Sequence, residues 1–325
     1  ETAKAWRVSR EAQDDWALKS HQRAVAGWDN GFFDDLVISL PELARDANPR
    51  ADTSAERLAA LKPAFDRESG QGSLTAGNSS PITDGAAGCW VANDAGLRRL
   101  PAGTPFARLV DYEVSAVDLH TEGLLMAPSY GIPRLLARHR LGFSDIALWE
   151  IHEAFAAQVL ANVAAIADPD WVREKAGVEA AMGEFDWNRV NPNGGSVAIG
   201  HPFGATGARD LSQAVQELWA LPVGSRGIVS ICADGGQGHA EAEHGPAGQG
   251  QQVVPRRAHR RLRQEEPAGV GLVHDDRVIG QGRGHHVDPV LRRQRRICRQ
   301  LRHFQLRQRR RRTRRHRVGQ FFEAR

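Results

Sequence analysis

Three short clusters place His, Glu and Cys where acid–base chemistry is possible. The first is Glu150-Ile151-His152-Glu153-Ala154-Phe155. It follows an apolar run and opens a helical stretch, the position at which an open α/β sheet presents its ligand-facing groups. A zinc-binding HExxH is excluded because residue 156 is Ala. A solvated His at a helix start is the alternative reading of these residues. The second cluster is Asn191-Pro192-Asn193-Gly194-Gly195-Ser196, followed by Gly200-His201-Pro202-Phe203-Gly204-Ala205-Thr206-Gly207. Its glycines allow close backbone approach. His201, just ahead of a helix, can act as a base or donate to an oxyanion. A serine-hydrolase GxSxG is excluded because residue 198 is Ala. A tight structural connection is the alternative. The third cluster is Cys232-Ala233-Asp234-Gly235-Gly236-Gln237-Gly238-His239-Ala240. Glu241 excludes a dinucleotide GxGxxG. A Cys at the end of a buried strand, against glycine amides, is expected to have its thiolate favoured, which suits moving a proton. A buried, inert thiol is the alternative.

The elements around these clusters follow from periodicity and capping. Ser9 is expected to cap a helix over residues 9–28, with Trp16, Val25 and Trp28 on its apolar side and Asn30-Gly31 ending it. Residues 36–40 predict a short strand and 53–61 a second helix. Residues 70–77 read as a loop, and the apolar run 86–91 fits strand or helix. Residues 114–117 predict a strand and 131–139 a helix, with Pro133 in its first turn. A strand over 146–150 precedes a helix over 154–167. Leu211, Ala214, Val215, Leu218 and Trp219 give helical spacing to residues 208–220. The β-branched run 227–231 predicts a buried strand ending at Cys232. This alternation predicts an α/β fold with helices packed on a sheet.

The chain has 325 residues, 41% hydrophobic and 25% charged, as in soluble globular proteins. No apolar run approaches the roughly 18–20 residues that cross a bilayer. Three scattered cysteines provide neither a disulfide framework nor a CxxC metal site, and a reducing, cytoplasmic location is expected. The start, ETAKAWRVSR, has no apolar core of a secretory signal. It begins without Met and close to a helix start, which implies a truncated N-terminus. The net charge of +4 hides two unlike pieces. Residues 245–325 carry 22 Arg, no Lys and 6 acidic residues, while residues 1–244 carry 21 basic and 33 acidic residues. The arginine-rich tail reads as out-of-frame translation of GC-rich DNA, as a nucleic-acid-binding arm, or as an ordinary disordered tail. In each case it is not expected to pack as a domain.

Taken in order, the clusters resemble the thiolase family. EIHEAFAAQ, NPNGGSVAIGHPFGATGAR and ICADGGQGHA are similar to its three C-terminal signature blocks. The resemblance extends through SREAQDDWALKSHQRA, LKPAF and TAGNSSPITDGAA, so it covers residues 1–244 and none of the tail. HEAF and CADGGQGHA look most like 3-ketoacyl-CoA thiolases of the β-oxidation trifunctional-complex type.

The resemblance implies a layered α/β fold. Residues 1–72 would be part of the loop domain, 73–102 the end of the N-terminal half, and 103–244 the C-terminal half. It implies an acyltransferase that cleaves 3-ketoacyl-CoA with coenzyme A, with CoA as substrate and neither a cofactor nor a metal. His201 would activate the nucleophile, Cys232 would move the proton, and His152 would support an oxyanion hole. Backbone N–H groups at Asp234 and Gly235 would serve a second hole, and Ser80 and Phe155 would line the pantetheine channel. The nucleophile block lies upstream of SREAQDD in the family and is not in this sequence. Cys89, in DGAAGCW, is expected to be a buried core residue instead. The chain alone is therefore expected to be inactive. The alternative is a non-catalytic CoA-binding remnant or scaffold with a basic nucleic-acid-binding tail. The family implies a homodimer or tetramer, in this subtype with a hydratase/dehydrogenase subunit, and exposed apolar surface on the isolated chain.

Overall fold

The computed structural model describes residues 1–233 and 237–244. In chain order its helices are α1 (Thr2–Ala5), α2 (Arg10–Asp29), α3 (Ala55–Ala59), α4 (Asp94–Leu97), α5 (Ala127–His139), α6 (Ala156–Ala167), α7 (Pro169–Trp171), α8 (Ser196–Ile199) and α9 (Thr206–Trp219). The strands are β1 (Arg108–Ala116), β2 (Leu148–Ile151), β3 (Arg226–Ala233) and β4 (Gln237–His244). They form one mixed sheet in the order β1-β4-β3-β2. β2 runs parallel to β3, and the other two pairings are antiparallel. Among the described residues no helix is long and apolar enough to cross a membrane.

Helices cover both faces of β2 and β3, as the alternating pattern requires. On one face, Leu148 and Val229 pack against Ala214 and Leu218 of α9. On the other, Trp149, Ile151 and Ile228 join Ile132, Leu135 and Leu136 of α5 and Val159, Val163 and Ile166 of α6 in the largest core. β2 lies at the edge of the sheet, and Asn191 closes that edge. Its backbone N–H donates to Trp149 O, and its side-chain amide takes Ile151 N–H at 2.8 Å and donates to Ile151 O at 2.9 Å. One side chain thus does the work of a fifth strand there.

Several expected elements changed. α2 begins where the cap predicts, with Ser9 Oγ accepting from Ala12 N–H. α5 starts four residues earlier than expected, because Pro128 takes the first turn, and Pro133 falls inside the helix. Residues 36–40 form no strand; Leu40 makes a single bridge to Leu43. Residues 86–91 form neither strand nor helix, and Trp90 is 98% exposed. Cys89 is exposed as well, not in the core. Nothing among the described residues pairs with this run, so its apolar content has no surface to bury. β4 was not foreseen, since Gly, Ala and Glu carry little strand preference; β3 supplies its hydrogen-bonding template.

Candidate active site

β2 and β3 bring the first and third clusters together. Ile151 lies opposite Ser230 in their parallel register, and His152 N–H extends the ladder to Ser230 O at 2.8 Å. His152 leaves β2 at the C-terminal edge of the sheet, where such sheets present functional groups, and Cys232 lies one residue before the end of β3 at the same edge. Cys232 packs with Ala154, Leu125 and Phe155.

His201 reaches the same place by a different route. Residues 78–82 run between the loops as a lace. Ala156 N–H donates to Asn78 O, Ser79 bridges Phe155, and both the N–H and Oγ of Ser80 bond Ala154 O at 3.0 Å. The lace then continues to His201, whose N–H donates to Pro81 O at 3.1 Å. The rings of His152 and His201 end 4.3 Å apart, centroid to centroid. His152, His201, Ser80 and Phe155 are thus stitched into one patch. Phe155 meets Phe65 edge-on, and Phe203 stacks obliquely beside His201 at 4.7 Å. Asp234 and Gly235 lie outside the described residues.

Glu153 fixes this arrangement from behind. Its buried carboxylate accepts from Trp16 Nε1, Ser20 Oγ, Asn191 Nδ2 and Val197 N, at 2.7–3.1 Å. That one group ties α2, β2, the Asn-Gly-Gly loop and α8 together. The glycines there are required: a Cβ on Gly195 would lie 2.4 Å from Glu153 Cδ. Gly194 has φ +79°, and a Cβ there would lie 2.6 Å from Ser20 O. Burial raises the Glu153 carboxyl above its usual range against the pull of its donors.

A second buried polar layer joins β2 to α9. His152 Nδ1 meets Ser196 Oγ at 2.8 Å, and Arg209 Nη2 donates to the same oxygen at 3.0 Å. Arg209 Nη1 donates to Gln213, which donates to Glu217, and Asn193 also donates to Glu217. Glu217 and Glu150 face each other with one oxygen each lacking a donor. Two buried carboxylates in contact cannot both be ionised, so one proton lies between them. Burial and the Glu217 charge raise Glu150 well above its usual range, so Glu150 holds that proton; burial also lifts Glu217 to about 7.

The electrostatics set the resting protonation states. Burial, His201 and Arg209 hold His152 well below the usual histidine range, and burial with Arg209 lowers His201. Both rings are neutral at pH 7. Burial pushes the Cys232 thiol up to about 12, with Asp210 adding to the rise. The expected thiolate is thus overturned: the apolar wall of Leu125, Ala154 and Phe155 keeps Sγ protonated at rest. Among the described residues, no group of three His, Cys, Asp or Glu side chains could hold a metal ion.

The three clusters left Ser196, Thr206, Arg209 and the glutamates Glu150, Glu153 and Glu217 without a role. One signal did mark the α9 members. Thr206, Asp210, Gln213 and Glu217 recur at helical spacing, and all four are buried.

Comparison with known proteins identifies this architecture. The thiolase N-terminal domain matches residues 1–95 and the thiolase C-terminal domain residues 103–242. The 3-ketoacyl-CoA thiolase of Yersinia enterocolitica is 41% identical over 244 residues, which are 73% of this chain and 55% of that protein. The chain thus spans about half the length of the curated relatives it matches. Among solved structures, the acetyl-CoA acetyltransferase of Bacillus anthracis is 33% identical with a TM-score of 0.60, covering 75% of this chain and 58% of that one. The dimeric peroxisomal thiolase of Saccharomyces cerevisiae is 31% identical with a TM-score of 0.59, covering 75% and 57%. With both domains matched in order along it, the chain belongs to the thiolase family.

Proposed function

We propose that these residues are the proton-handling and oxyanion half of a site for thiolytic acyl transfer, 3-ketoacyl-CoA plus CoA giving acyl-CoA and acetyl-CoA, in fatty-acid β-oxidation. The observation that carries the reading is the neutral His152–His201 pair, 4.3 Å apart at the C-terminal edge of the sheet, with the protonated Cys232 packed on Ala154 and Phe155 just after His152 in the chain. In this reading a cysteine thiolate attacks C3 of the 3-ketoacyl group, and His201 takes the proton of that nucleophile. The C2–C3 bond breaks, and the departing acetyl-CoA carbanion takes its proton from Cys232 Sγ. The Cys232 thiolate, a strong base in so apolar a place, then removes the proton of the incoming CoA thiol. CoA sulfur attacks the thioester, acyl-CoA leaves, and the nucleophile is regenerated. His152 and the backbone N–H groups of Asp234 and Gly235 bind the oxyanions. Ser80 and Phe155 flank the acyl and pantetheine path.

None of the three cysteines suits the nucleophile: Cys89 is exposed in an irregular segment, Cys232 is buried and protonated, and Cys298 stands in the arginine-rich tail, outside the described residues and outside every thiolase-like block. We therefore assign the nucleophile to a segment outside this sequence, and expect the chain to bind but not to turn over. Dimerisation, as named for the yeast relative, and assembly with a hydratase/dehydrogenase subunit belong to the same reading. Calorimetric titration of the chain with acetoacetyl-CoA, paired with intact-mass measurement, tests it. Binding weakened at least tenfold by His201→Ala, with no acetyl adduct, is expected. Absence of binding would refute the site, and an acetyl adduct would refute the assignment of the nucleophile.

A further inference from the structure

We propose that the two imidazoles are locked in opposite tautomers, His152 as a donor through Nε2–H and His201 as a base through a bare Nε2, and that Ser196 with Arg209, and Thr206, are the positioning residues that set them. The case is one of counting hydrogens. Ser196 is fully buried, and among the described residues its Oγ has two neighbours, Arg209 Nη2 at 3.0 Å and His152 Nδ1 at 2.8 Å. A guanidinium only donates. The hydroxyl hydrogen of Ser196 is then satisfied only if it points to His152 Nδ1. Were Nδ1 protonated instead, two donors would converge on Oγ and the hydroxyl hydrogen would be buried without an acceptor. Nδ1 of His152 therefore accepts, and its single proton sits on Nε2.

At His201 the same count gives the opposite answer. Nδ1 lies 2.7 Å from Thr206 Oγ1, and that hydroxyl donates to Pro202 O at 3.3 Å in the turn below. Pro202 O also accepts from the N–H groups of Ala205 and Thr206; with the threonine hydrogen on that carbonyl, Oγ1 accepts from His201 Nδ1–H and Nε2 keeps its lone pair. The longer contact to Pro202 makes this the weaker of the two locks. Each ring is neutral, because Arg209 and burial disfavour a second proton on either. The result is a donor and an acceptor in adjacent rings, with Arg209 setting His152 through Ser196 and Thr206 setting His201. One function follows for each ring: His201 can take a proton while His152 supplies N–H to an oxygen gaining charge. This deepens the thiolytic reading, yet it concerns the resting chain without substrate, so either can fail alone.

The test is long-range ¹H–¹⁵N correlation of the ¹⁵N-labelled full chain at neutral pH, with the rings assigned through Cβ to the backbone. The expected spectrum shows His152 protonated on Nε2 and His201 on Nδ1. Ser196→Ala should release His152 into a mixture of tautomers, Ser196→Thr should restore Nε2–H, and Thr206→Val should release His201 alone. The same tautomer in both rings, Nδ1–H at His152, or a His152 pattern indifferent to Ser196→Ala would each overturn the proposal. The wild-type spectrum decides by itself if a variant does not fold.

Discussion

Replacing Glu217 by glutamine (E217Q) should remove a pH dependence of stability that the native chain carries inside its sheet–helix interface. Glu217 is buried, with its carboxyl raised from 4.5 to about 7, first by desolvation. A carboxyl with a raised folded value favours folding most when protonated. Its contribution is fully present below about 4.5 and is lost as pH rises through 7. A rise of that size corresponds to roughly 3 kcal/mol across the window. The introduced amide keeps an oxygen for Asn193 and offers a hydrogen toward Glu150, but it does not titrate. The absolute profile of the native chain is a poor readout, because other groups act in the same range. Asp210, raised to about 6, adds a similar loss, while His21, lowered to about 4, contributes stability that disappears as pH falls. The difference between variant and native chain cancels those terms. Urea unfolding midpoints at intervals from pH 4.5 to 8 should show the variant gaining on the native chain by roughly 3 kcal/mol. Parallel profiles would show that the Glu217 carboxyl is not raised by its burial beside Glu150, and the reading of that pair would be wrong.

Glu153→Gln should destabilise the chain by about 3–5 kcal/mol, since an amide cannot accept from both Ser20 and Val197 where Oε2 does now; thermal melts check this, and a change under about 1 kcal/mol would contradict the hub role. Gly195→Ala should cost about 3 kcal/mol or more, because its methyl would sit on the Glu153 carboxylate; a soluble variant with an unchanged melt would refute the fit. Cys232 should alkylate with iodoacetamide at least about 100-fold more slowly than Cys89, since it is buried with its thiol pushed up to about 12 while Cys89 is exposed. Peptide mass mapping at about pH 7.5 would show equal rates if Cys232 were the activated thiol.

Elements that bury a simple apolar stripe were legible from spacing alone. α9 read correctly because Leu211, Ala214 and Leu218 answer to one hydrophobic environment, and β3 because Ile228 and Val229 are buried on both of its faces, which a continuous apolar run requires. Residues 86–91 misled for the opposite reason. An apolar run specifies burial only if a partner surface exists, and the described residues provide none. α5 began early because Pro128, not Pro133, fills the first turn, and the two prolines are equivalent by sequence rules until the packing of Tyr130 and Ile132 is known.

The site was legible in its residue types and illegible in its wiring. His152, His201 and Cys232 stand out because their chemistry is rare and their glycine-rich context is distinctive. Nothing local distinguishes Ser196 or Arg209, yet these residues decide which nitrogen of His152 carries a proton. The same is true of α2. Its buried face includes Gln13, Asp14, Ser20 and His21, which blurs the apolar period, and Ser20 is there to serve Glu153 133 positions away. A buried polar residue costs stability unless a partner meets it. Its presence at a core position is therefore a signal, but one that names no partner. On α9 that signal was in plain view: Thr206, Asp210, Gln213 and Glu217 fall on one helical stripe beside the apolar one. A helix with two such stripes must face both a core and a polar layer, so the stripe by itself requires polar groups on the strand it meets. Glu150 of β2, which faces Glu217, and His152 just beyond the strand, which reaches Arg209 of α9 through Ser196, are those groups.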